Sequence, residues 1–184
     1  MSPIEVVRSR RKTLSLELTT EGRMLLRAPL GCPKRVLQAF VDDHRDWVER
    51  KLRESEARRR TLAAVPKFSQ EALRALQKRG REVFPARCAY FAPRLGVSFG
   101  RISVRRQHSK WGSCSGKGNL NFNCLLLLAP ESVLDYVVVH ELCHRREMNH
   151  SKRFWALVEG LCPDWRESRR WLRTNGTTLL ARLP

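Results

Sequence analysis

Apolar residues follow two rhythms along this chain. Leu14, Leu16 and Leu18 alternate with polar neighbours, Thr20-Glu21-Gly22 carries turn chemistry, and Met24 to Ala28 runs apolar. A period of two on either side of a turn predicts a β-hairpin. Pro33 then opens a helical pattern, because a proline N–H is not needed in a first turn. Val36, Leu37, Phe40, Val41, Trp47, Val48 and Leu52 give that helix its apolar stripe, which frays into Arg58-Arg59-Arg60. Residues 61–67 read as a connector. A second helix starts at Ser69 and carries Leu73, Leu76 and Val83, and Pro85 is expected to kink or end it. Val97 to Val104 predicts a strand, His108 to Gly118 a polar loop, and Asn119 to Leu128 a second strand. Pro130 opens a helix, and Glu131 and Asp135 suit its N-terminal dipole. Two more helical segments follow near 151–160 and 164–174. The order hairpin, helix, helix, strand, strand, helices predicts an α+β fold. It has a hairpin-plus-helix subregion over 1–66 and a core over 67–184, taken together as one compact domain.

At 184 residues and 42% hydrophobic, the chain can bury a real core. No apolar run approaches the roughly 20 residues of a spanning helix, so a membrane-embedded protein is not expected. Basic residues near the N-terminus are followed by no apolar segment, so no signal peptide is read. The six cysteines form no C-x-x-C pair, which argues against a zinc ribbon and for reduced, largely buried thiols. A cytoplasmic location is the expectation.

Charge adds a second theme. Lys and Arg number 36 against 18 Asp and Glu, for a net +18. Residues 61–130 hold 12 basic and 2 acidic side chains, the largest imbalance along the chain. Such an excess invites an anionic partner, with DNA or another polyanion as the candidate. The excess is mostly Arg, 28 of the 36, a bias that a GC-rich genome also produces.

The chemistry concentrates in the helix after Pro130, which contains His140-Glu141-Leu142-Cys143-His144. Residues four apart stack on one helix face, so His140 and His144 can grip one ion. Glu141 sits about 100° further round, where it reaches a water at the ion rather than the ion itself. A catalytic zinc takes three protein ligands and leaves its fourth position open. His150 stands ten residues after His140, the offset of the third ligand in H-E-x-x-H-x-x-G-x-x-H. Glu147 occupies the glycine position, however, and no methionine follows Met148 for a Met-turn, so a metzincin is not expected. Asn149, in a left-handed conformation, would end the helix and swing His150 back. Asp164 and Glu159 are the rival third ligands. Arg105, Arg106, His108 and Tyr136 are candidate donors to the oxyanion, and residues 119–127 or 101–106 would offer an edge strand to an extended substrate.

The segments Lys110-Trp111-Gly112-Ser113-Cys114-Ser115, Asn119 to Asn123, Asp135 to His144, Asn149-His150-Ser151 and Phe154-Trp155 resemble the YgjP-like metallopeptidases, relatives of the SprT-like zincins. The resemblance is specific over about residues 105–165. It implies a zincin-like fold with a small mixed or antiparallel sheet over the H-E-x-x-H helix, and peptidase activity on protein or peptide substrates. It implies Zn2+ held by His140, His144 and His150, with Glu141 as the catalytic glutamate. Two other readings stand beside it. One is an SprT-like protease acting on DNA-bound proteins. The other is a non-catalytic module stabilised by zinc, which would need Cys114, Cys143 or Asp164 to close the coordination shell.

Overall fold

A computed structural model describes residues 4–19 and 21–184. Backbone contacts divide the chain into two compact units, one ending at Ala64 and one spanning Val65–Pro184.

In the first unit, β2 (Ser15–Leu18) and β3 (Met24–Pro29) form the expected antiparallel pair, and Thr20 of their turn lies outside the described residues. A further strand, β1 (Glu5–Ser9), pairs parallel to β3 and makes β3 the central strand. Its mostly exposed Glu-Val-Val-Arg-Ser sequence has no alternating apolar face to announce it. The helical stretch after Pro33 divides into α1 (Lys34–Asp43) and α2 (Arg45–Ala63). His44 breaks it with φ −109° and ψ 14°, and its Nδ1–H donates to the Phe40 carbonyl at 2.8 Å. Leu26, Ala28 and Leu37 form this unit's core.

The second unit begins with α3 (Gln70–Leu95), capped by the Ser69 hydroxyl, which accepts from the Ala72 N–H. The helix runs through both Pro85 and Pro93, so that Pro85, expected to kink or end it, does not end it. An internal proline costs about 3 kcal/mol. Here Leu73, Gly80 and Phe84 before it, and Cys88, Phe91, Ala92 and Leu95 after it, bury one continuous face. Each large side chain recovers about 1.5–3 kcal/mol on burial, which outweighs the break. Gly96 ends the helix at φ 64°, and Val97 N–H donates back to Ala92 O at 3.1 Å. That cap consumes the start of the expected 97–104 strand, so β4 is only Ile102–Arg105.

The following sheet has the order β4-β6-β5, with β5 (Gly112–Cys114) inside the expected polar loop and β6 (Leu120–Asn123) in the centre. β6 runs parallel to β4 and antiparallel to β5. The expected strand 119–128 stops at Asn123, and Cys124–Leu128 turns into a 3-10 helix. Asn123 causes the change. It is fully buried, its Oδ1 accepts from Leu125 N–H, and its Nδ2 donates to the carbonyls of Gln107 and Lys110 at 2.7 and 3.0 Å. It therefore staples the loop before β5. Asn121 donates to the Ser113 hydroxyl on β5.

α4 (Glu131–Cys143) is buried nearly all round and packs against α3, β5, α5 (Lys152–Leu161) and α6 (Trp165–Leu180). Arg87 of α3 forks onto Asp135 and also reaches Glu131, tying α3 to the start of α4. Phe84 and Phe122 stack at 4.7 Å between α3 and β6, and both are fully buried. The result is a mixed α+β architecture, as the pattern predicts. Truncating Phe122 to Ala should cost about 3–5 kcal/mol, lowering the midpoint of thermal unfolding by about 10 °C. Calorimetry of the purified variant checks this.

Candidate metal centre

α4 carries His140 and His144 one turn apart, and its end delivers the third histidine by a short, hydrogen-bonded path. The helix closes at Cys143, and the N–H groups of Arg145, Arg146 and Glu147 donate to Leu142 and Cys143 carbonyls. No non-glycine residue among those described has positive φ, so Asn149 is not left-handed as expected. Instead the Asn149 side-chain oxygen accepts from the Ser151 N–H at 3.1 Å, and Ser151 caps α5 by accepting from Phe154 N–H. His150 is thus held between an Asx turn and a helix N-cap.

The three histidines converge. Their candidate ligand nitrogens all lie within 4.8 Å of one another, and the Nε2 atoms of His140 and His150 are 3.1 Å apart. Two ligands of a tetrahedral ion with bonds of about 2.0–2.1 Å stand about 3.3 Å apart, so this donor set fits such an ion with little movement. His144 Nδ1–H donates to the Glu147 carbonyl at 3.1 Å, which leaves Nε2 with the lone pair a metal needs. Burial pushes His140 down to about 3 and lowers His144, so both rings are neutral. Phe154, fully buried, lies 4.7–4.8 Å from all three ring centroids and floors the cluster. Trp155 stacks beside His150, and Trp165 stacks on Trp155 at 4.2 Å.

Glu141 is 6% exposed and turned toward β5. The Cys114 N–H donates to its carboxylate, and a Cβ placed on Gly112 would meet that carboxylate at 2.6 Å. Gly112 therefore makes room for Glu141. Burial pushes Glu141 up to about 8, against the pull of Lys110 and the Cys114 N–H. The neighbouring Cys143 is fully buried, with its thiol pushed up to about 12 by desolvation.

A family model for the YgjP-like metallopeptidase domain matches residues 64–175. The chain belongs to the YgjP-like family. Its reaction class is accordingly metal-dependent peptide hydrolysis. The crystal structure of the metallopeptidase zymogen of Pyrococcus abyssi abylysin is similar at 22% identity and TM-score 0.46, over 50% of this chain and 94% of that one. No curated protein matches. No helix of the described residues is long and apolar enough to cross a membrane.

Within this YgjP-like domain the remaining candidates scatter. Glu159 is taken by Arg166 at 2.6 Å, and Asp164 precedes α6, outside the three-histidine group. Arg105 and Arg106 lie at β4, on the other side of β6 from β5. Arg106 donates to Gln77 and Gln70 of α3. Tyr136 is the one oxyanion candidate packed on a ligand-type histidine, its ring 5.8 Å from that of His140. Of the two expected edge segments, 119–127 contains the central β6 and cannot offer an edge, whereas 101–106 contains β4, which is an edge of the sheet; β5 is the opposite edge and packs against α4.

The shifts predict how the metal-free protein responds to pH. Glu141 titrates near 8 when folded against an ordinary 4.5, so its contribution to stability is full below 4.5 and fades as pH rises through 8. His140, near 3 against 6.5, acts in the opposite sense, and its contribution is complete above 6.5. Between pH 6.5 and 8 Glu141 dominates, so chelated protein should melt lower at pH 8 than at 6.5. Glu141→Gln should flatten that slope, as read from parallel thermal melts.

Proposed function

We propose that the chain is a zinc-dependent peptidase in which His140, His144 and His150 hold the ion and Glu141 is the general base. The observation that carries this reading is the convergence of three imidazoles beside a buried carboxylate. All-imidazole donors suit zinc, and three protein ligands leave the position that a catalytic site keeps open. When bound, the ion supplies Lewis-acid polarisation of a water and of the scissile carbonyl.

The protein side of the reaction follows from the geometry. Glu141 accepts the proton of the attacking water at a carboxylate oxygen and returns it to the leaving amine. The Cys114 N–H and the space above Gly112 fix where that carboxylate stands. The Trp111 carbonyl and the Ser115 N–H bond toward β6, so by alternation the backbone groups of Gly112 and Cys114 point outward. The Gly112 N–H and the Gly112 and Cys114 carbonyls are the groups an extended substrate meets when it adds as a strand to β5, the Cys114 N–H being held by Glu141. Tyr136, whose phenol burial keeps protonated, donates to the carbonyl oxygen as charge builds there.

Purified protein should hold about one zinc per chain, as read by elemental analysis, with a zinc-edge spectrum of three nitrogens and an open, water-bearing position. Glu141→Gln should keep the zinc and lose at least about a hundredfold in kcat on casein, whereas His150→Ala should lose metal. Four protein ligands in the spectrum, or an active Glu141→Gln enzyme, would overturn the reading.

A further inference from the structure

We infer that Arg169, laid over Trp155 beside the three histidines, binds a carboxylate of the substrate next to the scissile peptide bond. This rests on the metallopeptidase reading of the site and adds a substrate preference to it.

The placement is a chain of stacked groups. Trp155 lies 5.9 Å, centroid to centroid, from both His140 and His150 and is tilted 29° from the His150 plane. Trp165, at the start of α6, stacks on the indole of Trp155. Arg169 follows Trp165 by four residues, so it shares that face of α6. Its guanidinium carbon is 5.4 Å from the Trp155 centroid.

The nearby arginines are engaged. Arg166 pairs with Glu159, Arg87 with Asp135 and Glu131, and Arg145 donates to the carbonyls of Ser98 and Gly116. Arg169 is exposed, and among the described residues no carboxylate or carbonyl accepts from it. A guanidinium stacked on an indole keeps its edge N–H groups free to grip a carboxylate in bidentate fashion. A second cation beside a metal-binding centre is also repulsive when that centre is loaded. An anion that settles between them relieves the repulsion, and the substrate is what brings one. The carboxylate is either an acidic side chain flanking the cleaved bond or a free C-terminus.

The test uses the zinc-loaded chain and a panel of casein-derived peptides, each centred on one peptide bond. The peptides carry Glu or Gln on either side of the bond and end in a free or an amidated C-terminus. Wild type should favour the carboxylate-bearing peptide by about three- to tenfold in kcat/KM, mostly through KM. Arg169→Gln should bring the ratio near one and Arg169→Lys should keep part of it. Arg170→Gln, an exposed change of equal charge on the same helix, should leave it intact. Glu-against-Gln and acid-against-amide comparisons tell the two carboxylate sources apart. A second arm needs no turnover: the same peptides are titrated by calorimetry into zinc-loaded Glu141→Gln protein with and without Arg169→Gln. A binding preference without any cleavage by wild type would sink the peptidase reading and keep the carboxylate site. A preference that survives Arg169→Gln, or is absent from both arms, overturns the proposal.

Discussion

The active side of this domain depends on the contact between α4 and the edge strand β5. Glu141 occupies the helix position beside the two histidines. A carboxylate that is 6% exposed cannot stand there unpartnered without a large desolvation cost. The Cys114 N–H is that partner, and the missing side chain of Gly112 is the space it needs. Under the proposed reading, the strand that would bind substrate also sets the base, and one interface would fix both the position of the peptide and that of the proton acceptor.

Behind that interface the support is unusually local in cause. Asn123 turns β6 into the 3-10 helix and ties down the loop that leads to β5. Phe154 touches all three imidazoles, so the seating of α5 and the spacing of the histidines are one packing problem. Arg87 locks α3 to the acidic start of α4, where its two carboxylate partners also favour the helix dipole.

Much of this was legible in the sequence, and the exceptions have physical reasons. The two histidines and the glutamate of α4 follow from helical period alone, because side-chain direction on a helix is fixed by geometry. Ser69 announced the start of α3. Pro85 does not end the helix, because proline's cost is local while the burial that overrides it is a property of the whole helix face. β1 escaped because it is an exposed edge strand whose reason to exist is the backbone of β3. β5 escaped because three residues with Gly and Ser carry almost no strand propensity and are set by pairing with β6. The manner of delivering His150 was read as a left-handed Asn149 and is an Asx turn instead. Both use the same residue, and composition does not separate them. The net charge of +18 pointed to an anionic partner in general, whereas what matters beside the histidines is the placement of single cations such as Lys110 and Arg169.

The three histidines have a consequence for how the protein comes to be. The outer two are ten residues apart and lie on one helix-turn-helix corner. Bringing them together closes only a short loop, which carries little entropic cost. Glu141, in contrast, is complete only when a strand from well upstream has docked. Under the proposed reading, the imidazole cluster and the carboxylate beside it therefore have different contact orders, and the cluster would assemble at this corner before Glu141 is seated.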